Sequence, residues 1–327
     1  MKIQYSFLLV ITVIFLLTPN IASAVNLPWS TTYNCADWTQ SNGLYNVNCD
    51  GLSGNGNWTC NNGDGTIRKE QITAAANYPN GSGGKGQRHW LGDGVNNISG
   101  EMRIDWSPTP QNEIWIRWYM RYESGFRWNP LVDNKILNVN PGYVNRTIFG
   151  FEWSDQIRIF SNGYNGLYYS AVGDGWRGIM GGDAGDGKWH LYEIHLKMDT
   201  NGNDGIAEAW VDGIKRVSYT NANFGGLQGA PGWSALQIAS NSNSPSNGRC
   251  MAVDYDDLMI SGIPASTAGN SSGSDESSDA SISGGGCGFV NDGTGKSGSN
   301  AVHIFIFFLP LILIRLWKLL KIKEWNY

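Results

Sequence analysis

The sequence predicts an all-β fold for the central part of the chain, and three observations carry that reading. Short runs rich in aromatic and β-branched residues recur between clusters of Gly, Asn and Asp. Between Val25 and Pro264 no convincing long amphipathic helix stands out. Glycine is abundant, at 43 of 327 residues, and of the 15 tryptophans all but Trp317 and Trp325 fall in this central part. The strands expected, in order, are Glu113 to Tyr122, Thr147 to Trp153, Gln156 to Phe160, Leu167 to Ala171, Trp189 to Met198, Ile206 to Val211, Ala235 to Ala239 and Met251 to Ile260. No internal repeat points to a propeller or solenoid.

Composition narrows the partners. Charged residues make up 16% of the chain, below the ~25% of ordinary soluble domains, and the formal net charge is -5. That balance argues against nucleic acid, whose readers carry basic surfaces. At the N-terminus, Lys2 precedes an apolar run from Phe7 to Leu17 and then Ala22-Ser23-Ala24, the small-x-small pattern of a signal-peptidase site. Residues 1–24 are therefore expected to be an export signal, and residues 25–264 a single exported domain.

Ala301 to Ile314 is apolar apart from His303, and Leu316, Trp317, Leu319 and Leu320 extend it past Arg315 and Lys318. About 20 such residues suffice to cross ~30 Å of hydrocarbon, so 301–320 is expected to be one transmembrane helix. Arg315, Lys318, Lys321 and Lys323 put residues 321–327 on the cytoplasmic side and the domain outside, membrane-anchored at the cell surface. Residues 265–300 begin with a Ser/Gly/Asp-rich stretch too poor in apolar side chains to fold, which reads as a tether. Gly284-Gly285-Gly286-Cys287-Gly288 closes it. This order of linker, Gly/Cys motif, apolar helix and basic end resembles the C-terminal sorting signals of bacterial surface proteins. The resemblance implies a membrane sorting protease acting near Cys287; a plain single-pass anchor is the alternative. A GPI signal fits less well, because the tail ends in charges.

Cys287 belongs to that tail, which leaves Cys35, Cys49, Cys60 and Cys250 as an even set expected to form disulfides in an oxidising compartment. Their three possible pairings stay open. With no C-x2-C pair and no histidine nearby in sequence, they are not expected to bind zinc.

Two alternating strands flank Asn201-Gly202-Asn203-Asp204-Gly205, and Asp212-Gly213 turns the chain into a third, so that Trp189 to Tyr219 reads as a meander. Val253 to Ser261 has an acidic start and an apolar finish. These two segments resemble the concanavalin A-like jelly roll, in the branch shared by polysaccharide lyases and laminin-G-like modules. The resemblance implies a two-sheet antiparallel sandwich whose concave sheet holds a carbohydrate groove.

The strand Glu113 to Tyr122 alternates between two faces. With Ile116, Trp118 and Met120 on the core side, Trp115, Arg117, Tyr119 and Arg121 share the other. Arginine forks suit carboxylates or sulfates, and an indole suits the apolar face of a pyranose. Ion pairing of those arginines across a solvated sheet is the bland alternative. In the same way Glu193, His195 and Lys197 share a face with Trp189, as acid/base candidates or as an ordinary polar surface. A third stretch, Gly84-Lys85-Gly86-Gln87-Arg88-His89-Trp90, is placed just before a probable strand.

Lyases of the resembling fold cleave uronate polymers by β-elimination, with a cation neutralising the C5 carboxylate, a base taking the C5 proton and an acid protonating the leaving oxygen. On that pattern His89 is a candidate base, Tyr119 a base or acid, and Arg88, Arg117 or Arg121 the neutraliser. Trp115, Arg88, Arg121, Lys135, Glu193 and His195 are the candidate substrate contacts. Lys135, in Asp133-Asn134-Lys135-Ile136-Leu137, loosely resembles a Gly-Gly-Lys-Leu lyase strand without its glycines. A complete lyase motif is not matched.

Retaining hydrolysis needs two carboxylates ~5 Å apart, and hydrolases of this fold set them as Glu-x-Asp-x-x-Glu. Glu152-Trp153-Ser154-Asp155 and Asp254 to Asp257 both fail that spacing. No cofactor is expected. Asp199, Asn201, Asn203 and Asp204 lie at roughly calcium-loop spacing but depart from the EF-hand pattern, and turn-forming Asx residues explain them without a metal. The resemblance implies that calcium more often lies at the sandwich edge, where Asp256 or Asp257 is a weak alternative. Two functions therefore stand side by side: a surface-anchored module that binds an acidic polysaccharide, and a polysaccharide lyase. Whether His89, Tyr119 and an arginine converge on one groove separates them.

Overall fold

The computed structural model describes residues 24–40, 46–56, 59–62, 64–91, 100–106, 110–127, 134–140, 145–152, 156–161, 167–170, 185–239 and 248–262. The expected export signal up to residue 23, the 265–300 tether with Cys287, the apolar segment 301–320 and the basic end 321–327 lie outside the described residues, as do Asp133, Trp153, Ser154 and Asp155. Among the described residues no helix is long and apolar enough to cross a membrane.

The regular secondary structure of the described residues is all strand apart from one 3-10 turn, Ala74–Ala76. In chain order the strands are β1 (Trp29–Thr31), β2 (Trp38–Thr39), β3 (Asn46–Cys49), β4 (Leu52–Gly56), β5 (Thr59–Asn61), β6 (Ile67–Lys69), β7 (Gln71–Thr73), β8 (Gly86–Leu91), β9 (Gly100–Asp105) and β10 (Glu113–Tyr122). They continue with β11 (Asn134–Val139), β12 (Thr147–Glu152), β13 (Gln156–Ser161), β14 (Leu167–Ser170), β15 (His190–Lys197), β16 (Gly205–Val211), β17 (Ile214–Ala222), β18 (Ala235–Ile238) and β19 (Met251–Ser261).

Two large antiparallel sheets result, an arrangement that fits a jelly roll. One has nine strands in the order β17-β16-β15-β10-β19-β8-β7-β2, with β1 added beside β19; the other has eight, β14-β13-β12-β11-β18-β9-β4-β3. A separate ribbon pairs β5 with β6. The core lies between the sheets because their strands alternate. On β10, Ile114, Ile116, Trp118, Met120 and Tyr122 are buried while the residues between them are partly exposed. Trp118 meets Phe149 of the opposite sheet edge-on at 5.4 Å and stacks on Tyr192 at 5.4 Å. Full burial of each such side chain contributes roughly 1.5–3 kcal/mol.

The expected meander is β15-β16-β17, and its second turn has positive φ at both Asp212 (51°) and Gly213 (76°). That is the type I′ geometry that matches strand twist, and it explains the Asp-Gly pair. β19 runs through the middle of the nine-stranded sheet. Its first half pairs with β8 and its last residues with β1, while β10 lies along its other edge. A bulge at Asp257-Leu258 interrupts the β10 register between Arg117 and Tyr119, with Asp257 at φ 45°. Bulges of this kind re-aim neighbouring side chains.

The disulfides are Cys35–Cys49 and Cys60–Cys250, one of the three pairings that the sequence left open. The second ties the β5-β6 ribbon to the start of β19 across a separation of 190 residues.

Candidate functional site

The face of the nine-stranded sheet turned away from the core carries most of the candidate residues. Arg88 on β8 and Arg121 on β10 flank Asp254 on β19, and register pairs both of them with it. Arg88 donates from Nε and Nη2 to the two carboxylate oxygens of Asp254 at 2.7 and 3.0 Å. Arg121 donates from Nε and Nη2 to Oδ2 at 3.2 and 2.5 Å. Both also donate from Nη2 to the Ala75 carbonyl, at 2.7 and 3.3 Å. That carbonyl is fixed by the 3-10 turn, whose start is capped by Thr73 accepting from the Ala75 N–H. The hydrogen bond to Asp254 holds the Arg88 guanidinium above its ordinary pKa, against burial.

Indole rings support these cations. Arg68 and Arg88 lie over Trp90 at 5.2 and 5.5 Å, and Arg121 lies over Trp189 at 5.0 Å. A guanidinium over an indole is held there by the ring quadrupole. Arg68, Arg88, Trp90, Arg121, Arg249 and Asp254 are among the residues that line a cleft of about 520 Å³.

Beyond Trp189 the contacts continue. Trp189 tilts against Tyr78 at 5.6 Å, and Tyr78 stacks on Tyr119 at 3.9 Å. Burial, then the hydrogen bond and proximity of Tyr78, hold the Tyr119 phenol above the ordinary tyrosine range, while Arg117 pulls it down. Such a phenol keeps its proton at neutral pH and can serve as a donor or acid. Beneath Tyr78 is the Asp256 carboxyl, fully buried and accepting from the Tyr78 and Asp257 N–H groups, each at 2.7 Å. Burial pushes it up to about 7 despite those donors, and Asp257 and Asp254 add to the rise.

At the far end of the face His195 is clasped between Glu113 (2.9 Å) and Glu208 (3.2 Å). Trp115 stacks on His195 at 4.0 Å and on Trp210 at 5.6 Å. Trp115 is thus half-buried in a ring cluster and is not a free sugar platform. Glu193 and Lys197 share this face, with Glu193 opposite Arg117 and Lys197 opposite Glu113 in register.

Several expectations are corrected. Most of the Gly84 to Trp90 stretch is strand β8 itself, which ends at Leu91, so Gln87, His89 and Leu91 face the core while Arg88 and Trp90 face outward. His89 is 1% exposed, registers with Val253 and bonds Glu70 through Nδ1. It therefore does not converge with Tyr119, from which the sheet separates it. His190 and His195 are 9% and 5% exposed, so no described histidine is an accessible base on the open face. Lys135 stands on β11 of the eight-stranded sheet, away from the strands that carry Arg88 and Arg121.

The calcium-loop residues form a turn. Asp199 accepts the N–H groups of Gly202, Phe224, Gly226 and Leu227. Although burial raises its pKa, these donors bring it below the ordinary value. Asp204 accepts from Thr200 and Asn201. N–H dipoles aimed at both carboxylates oppose a cation there.

Sequence reading missed Asp254 as a site residue, and Arg68 and Arg249 altogether. Register places Arg68 opposite Cys60, and Arg249 precedes Cys250. The Cys60–Cys250 pairing, unknown from sequence, joins the two arginines at one rim.

The fold and the face together define an all-β sandwich with an open sheet face of arginines and aromatic rings. No family model matches the chain, and no curated protein matches it. Among solved structures, the alginate lyase vAL-1 from Chlorella virus is similar at 13% identity and TM-score 0.45, covering 68% of this chain and 100% of that one. The alginate lyase Aly36B is similar at 14% identity and TM-score 0.42, covering 73% and 98%. The binding domain of Botulinum Neurotoxin DC, in complex with SialylT, is similar at 9% identity and TM-score 0.40, covering 64% and 48%.

Proposed function

We propose that this chain is a receptor for an acidic polysaccharide, which it binds without turnover on the open face of the nine-stranded sheet. The observation that carries the reading is the Arg88–Asp254–Arg121 unit set over Trp90 and Trp189. Cations held on rings at the floor of a cleft suit fixed anions on a ligand. The chain's overall charge of -5 makes that local cationic site the more specific. Four strand spacings separate β8 from β16, about 19 Å, so a linear chain has room to lie across the strands toward Trp115, Arg117 and the Glu193–His195 region.

The receptor is proposed to work outside the cell. Two disulfides support an oxidising compartment. Export by residues 1–24, anchoring by 301–320 and sorting at Cys287 belong to the same proposal.

A lyase is the second reading, favoured by one observation: Tyr119 lies beside Arg117 on the open face. An acid and a neutraliser are then in place, and the base is the missing part. Affinity electrophoresis of the full chain through alginate, glucuronan, pectate and heparin-type polymers tests the receptor. Retention on an acidic polymer without growth of the ultraviolet absorbance of an unsaturated uronate is the expected result. Growth of that absorbance, lost in Tyr119→Phe, would establish the lyase instead.

A further inference from the structure

We infer that the cleft selects a sulfated glycan of high charge density over a polymer carrying one carboxylate per sugar. The inference rests on the receptor reading and specifies its ligand. Four guanidinium groups line the cleft against the carboxylates of Glu123 and Asp254, an excess of two positive charges among the residues that line it. Their hydrogen bonds show where those charges are available. Arg88 and Arg121 spend only Nε and Nη2 on Asp254 and Ala75, so Nη1 of each has no acceptor among the described residues. Arg68 rests on Trp90, and its charge also acts on the exposed Asp64 carboxylate, whose pKa it helps to lower from outside the cleft lining. Arg249 approaches Glu123 only to 3.7 Å, a separation too long for a hydrogen bond.

The indoles point the same way. Trp90 carries two guanidinium groups and Trp189 carries one. Ring surface that an uncharged pyranose would stack on is already in use, so the cleft reads charge more than it reads the apolar face of a sugar. A single carboxylate is saturated by one arginine fork and brings one charge. A unit with both a carboxylate and a sulfate ester, or with two sulfates, brings two charges and oxygens aimed in several directions, which matches donors arriving from both floor and rim. The rim itself is built, since Cys60–Cys250 joins the strand opposite Arg68 to the residue after Arg249, and Asn62 accepts the Cys250 N–H at 2.8 Å.

The test is calorimetric titration of the full chain with two matched pairs, heparosan against heparin and chondroitin against chondroitin sulfate. Tighter binding of the sulfated member by about tenfold or more is expected, and Arg68→Gln/Arg249→Gln should bring it close to its unsulfated partner. Equal affinity within each pair would overturn this inference while leaving the receptor standing. Absence of binding to any acidic polymer would overturn both. Sulfate preference that survives in Arg68→Gln/Arg249→Gln would overturn the assignment to this rim.

Discussion

Arg88 and His89 are neighbours in sequence and lie on opposite faces of the same sheet. Arg88 reaches the open cleft and binds Asp254, whereas His89 enters the core and binds Glu70. The Glu70 carboxylate also accepts from Gln87 Nε2 at 2.6 Å, and Gln87 accepts from the Tyr33 hydroxyl at 3.1 Å. His89 thus belongs to a buried polar network under the sheet. His89→Ala should cost about 1–3 kcal/mol of stability, since a buried carboxylate loses a partner. Denaturant unfolding measures that loss. Glycan affinity of the folded variant should stay within about twofold, ~0.4 kcal/mol; a tenfold loss would return His89 to the site.

Asp254 positions two cations. Its side chain is 2% exposed, and those of Arg88 and Arg121 are 17% and 27% exposed. Asp254→Ala should destabilise by roughly 2–4 kcal/mol, less than a fully buried pair because both guanidinium groups reach solvent. Arg88→Gln or Arg121→Gln alone should cost less, because Asp254 keeps its other partner. Urea midpoints of the three variants check the order, and equal losses would contradict the shared-carboxylate account.

The two disulfides should differ in weight. Loop closure gives about 5 kcal/mol for a separation of 190 residues and about 3 kcal/mol for 14. Cys60→Ser/Cys250→Ser should therefore lower stability more than Cys35→Ser/Cys49→Ser. It should also weaken binding of a sulfated glycan, because it releases the rim that carries Arg68 and Arg249. Melting temperature and Kd on both double variants test this, and intact binding in Cys60→Ser/Cys250→Ser would separate the rim from the disulfide.

Asp256 sets a pH dependence. Its folded pKa, raised to about 7, exceeds the unfolded value of 3.8, so the folded chain binds the proton more tightly. Its contribution to stability is fully present below 3.8 and is lost as pH rises through about 7. Unfolding free energy should fall between pH 5 and pH 8 by a few kcal/mol, about 1.4 per unit of pH at most. Asp256→Asn should flatten that slope, and an unchanged slope would assign the titration elsewhere.

Faces were legible in sequence where apolar residues mark them, and not where they do not. β10 alternates Ile, Ile, Trp, Met and Tyr against Trp, Arg, Tyr and Arg, so its outward set followed from period two. The Asp212-Gly213 turn was legible for a similar local reason. Gln87-Arg88-His89-Trp90 offers no apolar stripe, and a shift of one residue exchanges the two faces. Pairing with β19, a contact across more than 160 residues, decides that Arg88 is outside and His89 inside. Arg68 and Arg249 meet through a disulfide and a ribbon, which no local pattern encodes.

The most direct test of the central claim is the Kd of the full chain for its tightest acidic glycan, measured on the parent and on Arg88→Gln/Arg121→Gln. Loss of two charge-assisted contacts should weaken binding about a hundredfold or more, ~3 kcal/mol, with the variant still folded. An unchanged Kd in a folded variant would contradict the account and move the binding surface off this face.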